Sequence, residues 1–294
     1  MYEALRTPDE RFEDLPDFSF PPRYVEWEGL RLHYLDEGDG RPVVLFHGEP
    51  TWSFLYRKVM VPLLDAGYRA IAPDYPGFGR SDKPTDPAFY TYDRHTEAMA
   101  AILAELSLEG ATAVVQDWGG PIGLRLTVDH PEWFGRLSIL NTGLFGGGKP
   151  SEGFMTWRRF VERTEDLPIG VIMQRSMIQE WPDQVIAAYE APFPDVTYKM
   201  GAHRFPLIVP LAEDDPGADT MRRVRENLGQ WEAPTQVLFS TGDPVFSTRT
   251  GARFVDRIPG ATELETVDEA GHFLQEDQGE EVGRRIAAFL RRTD

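Results

Sequence analysis

The chain of 294 residues contains no cysteine. That absence excludes disulfides, thiolate nucleophiles and cysteine-ligated metals together, and it fits a reducing compartment. Positive charge is scarce. Thirty Lys and Arg stand against 48 Asp and Glu, for a formal net charge of −18. So acidic a chain repels phosphate backbones and anionic lipid surfaces, so neither nucleic acid nor a membrane is expected as a partner. No run of residues comes near the ~20 apolar positions of a membrane span. The N-terminal stretch carries Glu3, Asp9, Glu10, Glu13 and Asp14 and lacks the basic start and apolar segment of a secretion signal. A cytoplasmic chain is expected. Internal repeats and low-complexity tracts are missing as well. What remains is ordinary globular composition, 41% hydrophobic and 27% charged, in a chain long enough for one large α/β unit with an insertion.

Short apolar runs alternate with helical patterns. Leu30–Leu35 alternates apolar and polar residues and reads as a half-buried strand. Pro42–Phe46 (P-V-V-L-F) and Ala111–Val115 (A-T-A-V-V) read as strands buried on both faces. Tyr68–Ala72, Leu137–Leu140, Val237–Ser240 and Glu263–Val267 complete the strands. Helices are expected over Trp52–Leu64, Tyr92–Leu106, Pro121–Asp129, Gly251–Arg257 and Glu280–Leu290. Between Gly153 and Leu211 no buried-strand pattern occurs, and the segment reads as helical or irregular. This order predicts a mostly parallel sheet covered on both faces, interrupted by a helical cap. The corresponding division is a core from 1–145 and 213–294 with a cap from 146–212. Ligands of such sheets bind at the carboxyl ends of the strands.

Four loops follow predicted strands: His47–Pro50, Gln116–Pro121, Thr241–Pro244 and Ala270–Phe273. The second has the strand, sharp turn and helix order of a nucleophile elbow, with Asp117 where serine would stand and Val115 in place of the first glycine. Asp117 is equally readable as a helix N-cap before Pro121. Asp243 suits a turn before Pro244, and a lone histidine such as His272 is usually structural. His33, His95, His130 and His203 lack any motif, while His47 sits in the first loop. An aspartate and a histidine at the ends of later strands, in the chain order nucleophile, acid, histidine, favour a catalytic set.

These residues resemble the α/β-hydrolase superfamily and, within it, the haloalkane dehalogenases. The signatures are H-G-E-P-T-W-S (His47–Ser53), G-F-G-R-S-D-K-P (Gly77–Pro84), V-V-Q-D-W-G-G (Val114–Gly120), A-P-F-P-D (Ala191–Asp195) and A-G-H-F-L-Q-E (Ala270–Glu276). The third signature and the first are the specific ones; the second is shared with related hydrolases. The resemblance implies an α/β-hydrolase fold with a mostly parallel eight-stranded sheet flanked by helices. It is to the subfamily with an Asp–His–Asp triad and two halide-binding tryptophans. Another subfamily has asparagine at the position of Glu49 and its acid after an earlier strand. Here that place is near Asn141, with no adjacent carboxylate, which supports Asp243.

A carboxylate that attacks an acyl group makes only an anhydride, whereas one that attacks a saturated carbon makes an ester and expels a leaving group. Asp117 as nucleophile therefore implies displacement at sp³ carbon. His272 then activates water against the ester, and Asp243 orients it. The backbone N–H groups of Glu49 and Trp118 are expected to form the oxyanion hole. A departing halide needs donors with no acceptor function, which suits indole N–H. Trp118 is one, and Trp157 matches the family position of the other, with Trp181 as its rival. Phe154, Phe193, Pro194, Val245 and Phe273 are expected to line the apolar pocket. The implied partners are a small apolar halogenated substrate and a halide product. No metal or cofactor is expected, and a monomer is. An epoxide hydrolase with the same nucleophile is the alternative, since Tyr189 and Tyr198 exist as cap acids. A fluoroacetate-type enzyme would need carboxylate-holding arginines near the nucleophile, and a non-catalytic scaffold would not keep the triad.

Overall fold

The computed structural model describes residues 2–148 and 150–293. Among these, eight strands form one sheet: β1 Arg23–Trp27, β2 Leu30–Glu37, β3 Pro42–Phe46, β4 Arg69–Pro73, β5 Ala111–Val115, β6 Phe134–Leu140, β7 Thr235–Ser240 and β8 Ala261–Val267. Their spatial order is β1-β2-β4-β3-β5-β6-β7-β8. The pairs β1/β2 and β2/β4 are antiparallel and the other pairs are parallel. Apolar β-branched runs explain the central strands. Every residue of β5 is buried, as a strand covered on both faces requires. In β3, Val43 and Leu45 face one core while Val44 and Phe46 face the other, the two-residue period of a pleated strand.

Helices close both faces. On one side α1 (Arg57–Asp65) packs against the final helix α11 (Gly279–Thr293) through Val59, Leu63, Val282 and Ile286. On the other lie α2 (Tyr92–Glu105), α3 (Gly119–Asp129) and α8 (Ala218–Asn227). The segment between β6 and α8 supplies α4 (Glu152–Arg163), α5 (Ile169–Ser176), α6 (Asp183–Glu190) and the short α7 (Met200–Arg204). A further helix, α9 (Thr248–Arg257), connects β7 to β8, and the one-turn α10 (Leu274–Asp277) follows β8. Among the described residues no helix is long and apolar enough to cross a membrane.

Most expected elements form within a few residues of their expected ends. The differences have local causes. The Trp52–Leu64 segment opens with a 3-10 turn, Ser53–Tyr56, before α1 begins. The helix expected from Pro121 starts at Gly119, because the turn at Asp117 feeds straight into it: Gly119 N–H donates to Gln116 O at 2.8 Å and Gly120 N–H to Asp117 O at 2.9 Å. Strand β1 was not expected from the sequence. It is an edge strand with no fully buried residue, so it carries little of the apolar alternation that marks a half-buried strand.

Candidate active site

Four loops at the carboxyl edge of the sheet, those after β3, β5, β7 and β8, meet there. Asp117 adopts φ of +50°, a left-handed conformation that side chains with a Cβ rarely take. The turn is held in that shape. Its N–H donates to Asn141 O at 3.0 Å, and Thr142 Oγ1 donates to its carbonyl at 2.6 Å. Two glycines make the close approach possible. A Cβ on Gly119 would sit 2.1 Å from Phe46 O, and one on Gly48 would sit 2.4 Å from the Asp117 Cβ. The Asp117 side chain is thus pressed against the His47–Pro50 loop, where Glu49 N–H donates to its Oδ1 at 2.8 Å.

His272 stands opposite. Its Nδ1 pairs with Asp243 Oδ2 at 2.9 Å, and its Nε2 lies 3.5 Å from Asp117 Oδ2. Asp243 is fixed in turn, its Oδ1 accepting from Val245 N–H at 2.7 Å. The histidine backbone is clamped from both sides. Its N–H donates to Ser176 O of the cap at 2.9 Å. Its carbonyl accepts from Gln116 Nε2 at 3.2 Å and Asn141 Nδ2 at 3.1 Å. Asn141, near the place where an alternative acid would be sought, is therefore an amide clamp that also receives Ser240 N–H at 2.9 Å. Gln116 Nε2 also lies 3.3 Å from His272 Nε2, and Asn141 Nδ2 donates to Ser240 Oγ at 2.7 Å. The sequence carries no signal for either amide, because these partners lie 156 and 99 residues away along the chain.

Charge follows from these contacts. Burial by itself would lower the His272 pKa, but Asp243 and then Asp117 outweigh it and raise the imidazole to about 10. Glu49 is buried beside Asp117. Desolvation, then the Asp117 charge, pushes its carboxyl well above the usual carboxylate range, against smaller opposing effects of His272 and of a hydrogen bond with Trp157. Glu49 therefore favours its neutral form, and its Oε1 has no hydrogen-bond partner. His47 is structural. Its Nδ1 bonds Gly48 O at 2.8 Å, its Nε2 faces Tyr75 N–H at 3.3 Å, and burial pushes its pKa down.

These groups open onto a cavity of about 740 Å³ whose walls include Asp117, Trp118, His272, Glu49, Trp157 and Phe154. Val245 and Phe273 also line it. Two pocket expectations need correction. Phe193 packs in the hydrophobic core, and Pro194 lies exposed just before the Val196–Lys199 turn, so neither lines the cavity. The A-P-F-P-D segment turns away after α6, and α5 takes its place in the wall with Val171, Ile172 and Arg175. The periodicity of α5 did not reveal which of its faces would look inward. Trp181 is also outside the cavity. Its Nε1 donates to Asp277 Oδ1 at 3.3 Å, and Lys58 Nζ sits 3.5 Å from its ring centre. Tyr189 is buried with its hydroxyl on Glu276, and neither Tyr189 nor Tyr198 lines the cavity.

A carboxylate oxygen free of backbone bonds, an imidazole beside it and two indoles in a mostly apolar cavity form a set able to displace a small anion and then hydrolyse an ester. Comparison with known proteins points the same way. The family model of the alpha/beta hydrolase fold matches residues 41–278. A haloalkane dehalogenase of Psychrobacter cryohalolentis is 45% identical over 299 residues, covering 98% of each chain. One from Mycobacterium marinum is 43% identical, over 98% of this chain and 99% of that one. Among solved structures, a tetrameric haloalkane dehalogenase from Paraglaciecola agarilytica superposes with a TM-score of 0.91 at 35% identity, covering 96% of this chain and 97% of its own.

Proposed function

This chain belongs to the α/β-hydrolase fold family and, within it, to the haloalkane dehalogenases, hydrolases of carbon–halide bonds, and we propose that it works through a covalent ester on Asp117. Oδ1 of Asp117 is held by Glu49 N–H, so Oδ2 is the attacking oxygen. An oxygen–carbon bond forms as the carbon–halogen bond breaks, and the halide leaves on the opposite side of the carbon. The indole N–H groups of Trp118 and Trp157 receive it, that of Trp157 turning from the Glu49 carboxyl to the halide, each charge-assisted bond contributing about 1.5–3 kcal/mol in a water-poor cavity. A neutral Glu49 next to Trp157 suits this step, since an ionised carboxylate would repel the arriving anion.

Alkylation then changes the histidine. The ester carries no charge, so one of the two carboxylates that hold His272 protonated is lost, and its pKa falls. The imidazole gives up its proton to solvent and becomes a base for water. Water attacks the ester carbonyl, whose oxygen is Oδ1, already facing Glu49 N–H. Trp118 N–H is the second donor of the oxyanion hole. The acyl–oxygen bond breaks, the departing alkoxide takes the proton of the new carboxyl group and leaves as a primary alcohol, and Asp117 is regenerated as a carboxylate beside the protonated His272. Asp243 stabilises the imidazolium that forms during the attack. Residues 146–212 act as the cap that keeps water from the halide, and the chain acts as a monomer with an apolar haloalkane as substrate.

The approach of His272 Nε2 to Asp117 Oδ2 at 3.5 Å, inside a cavity with two indoles, carries this reading. An epoxide would need an acid for its alkoxide, and the cap tyrosines stand outside that cavity. The test is His272→Phe mixed with 1,2-dibromoethane. Intact-mass spectrometry should show an alkyl adduct that accumulates on the peptide containing Asp117, with a single burst of bromide. Full turnover by this variant, or an adduct on another residue, would refute the mechanism.

A further inference from the structure

A second cavity, of about 880 Å³, lies between α8, α9 and residues of the glycine-rich stretch, among them Gly143, Phe145, Gly146 and Gly148. Arg225 from α8 and Arg249, Arg253 and Arg257 from α9 line it. The α9 arginines recur every four residues, which places them on one face of that helix. Among the described residues, none of these four guanidinium groups has a hydrogen bond or an ion pair, and Arg249, Arg253 and Arg257 are exposed. Other arginines of the chain differ. Arg222 and Arg223, on the same helix as Arg225, pair with Asp219 and Asp129, and Arg284 and Arg285 pair with Glu281. In a chain with 48 carboxylates and only 30 Lys and Arg, partners for arginine are abundant. Four unpaired guanidinium groups around one hollow, against Asp256 as the one carboxylate in the described lining, form a local positive centre on an acidic protein.

Two further features suit an anion. The N-terminus of α9 has no side-chain cap from Ser247, and Ser247, Arg249 and Thr250 line the same cavity. The positive end of a ten-residue helix therefore borders it, although the Thr250 N–H is already taken by Ser247 O at 2.7 Å. The wall opposite is tied down, since Arg222 Nη1 donates to Gly146 O at 2.7 Å, and Arg225 Nη2 comes within 3.6 Å of where a Cβ of Gly146 would be. Planar guanidinium forks match phosphate oxygens two at a time, and a cavity of this volume exceeds what a single phosphate fills. Phe145 and Phe254 add aromatic surface to the lining.

We propose that this cavity is a binding site for a polyphosphate group, carried either by a free inorganic polyphosphate or by a nucleotide, separate from the haloalkane site. The two cavities share Val245 as a common wall.

The full-length enzyme is titrated calorimetrically at low ionic strength with inorganic tripolyphosphate and, separately, with ATP in the absence of divalent cations. One saturable site is expected. Arg249→Gln with Arg253→Gln should weaken it about tenfold or more, in keeping with the loss of charge-assisted bonds. Arg225→Gln alone should weaken it in the same direction. All variants should hydrolyse 1-bromobutane at the wild-type rate when no polyphosphate is present. Tighter binding of ATP assigns the nucleotide as the source, and equal binding assigns the free polyphosphate. Failure of both probes to saturate, or binding by a folded double variant equal to that of the wild type, would overturn the proposal.

Discussion

Two buried histidine–aspartate pairs sit at opposite sides of the same sheet edge. His33 Nδ1 meets Asp74 Oδ2 at 2.7 Å, and His272 Nδ1 meets Asp243 Oδ2 at 2.9 Å. Pair geometry alone would rank the first above the second. What separates them is the surroundings. Asp74 also accepts Ser53 N–H at 2.7 Å and Arg80 N–H at 2.9 Å, and both members of its pair have no exposed surface. The His33 Nε2 has no partner. The His272 Nε2 instead faces a second carboxylate, and its ring lines a cavity. A histidine–aspartate bond is thus a support in one place and a proposed part of the chemistry in the other. The third group and the open space decide which.

The largest expected effect comes from removing that third group. Asp117→Ala should lower halide release from 1-bromobutane by about 10⁴-fold or more, the scale seen when a nucleophile is deleted, with a melting temperature at or above that of the wild type. Comparable turnover by this variant would erase the distinction between the pairs. Asp74→Ala should do the reverse. Leaving His33 and two backbone donors buried without their acceptor should cost about 3–5 kcal/mol of stability, read from urea unfolding. Its folded fraction should keep the wild-type kcat. A smaller effect is expected at the cap. Trp157→Phe keeps an aromatic ring but removes the donor, and should slow carbon–halogen cleavage by about ten- to a hundredfold, measured by single-turnover bromide release. Trp181→Phe, whose indole serves Asp277, should leave that step unchanged.

The smallest effect is in the pH dependence of stability, and the two pairs should give opposite signs. His272 is raised from 6.5 to about 10 in the folded chain, so its stabilisation is fully present below 6.5 and fades as pH rises through about 10. Asp74 is lowered from 3.8. Burial alone would raise it, but His33, His47 and the Ser53 N–H outweigh that. Its stabilisation is present above 3.8 and fades as pH falls through its lower folded value. His272→Phe should therefore flatten the alkaline side of a stability–pH curve, and Asp74→Asn the acid side. Thermal unfolding from about pH 2 to 10.5, which covers the alkaline loss and the greater part of the acid one, checks both; flattening on the other side in either variant would contradict the assignment.

The central strands were legible because a strand buried on both faces must be apolar throughout, and P-V-V-L-F and A-T-A-V-V are. The edge strand Arg23–Trp27 was not, because a strand without fully buried residues places no such demand on its side chains. In the site, Asp117 stood out because an elbow is a local event: the small residues that permit the turn lie within three positions of it. Asp243 and His272 could be paired by chain order, since strands of a parallel sheet deliver their loops to one edge. The cap was less readable. Phe193 and Trp157 both belong to it, yet only Trp157 faces the cavity. The amide clamps Gln116 and Asn141 and the carbonyl of Ser176 could not be anticipated, because their partners on the His272 loop and on β7 lie about a hundred residues or more away along the chain or are backbone groups, which are the same in every sequence.

Sequence by itself determined the alternation of strands and helices, the turn at Asp117, the acidity of the surface and the absence of thiol chemistry. Each of these depends on residues close together in the chain or on composition summed over it. Tertiary structure alone decided which of two histidine–aspartate pairs opens onto a cavity, which tryptophan of the cap faces Asp117, and that four arginines from two helices surround one hollow. Those are relations between segments tens to more than a hundred residues apart. They depend on the direction each side chain takes once helices are packed on the sheet, and a linear period carries no record of that direction.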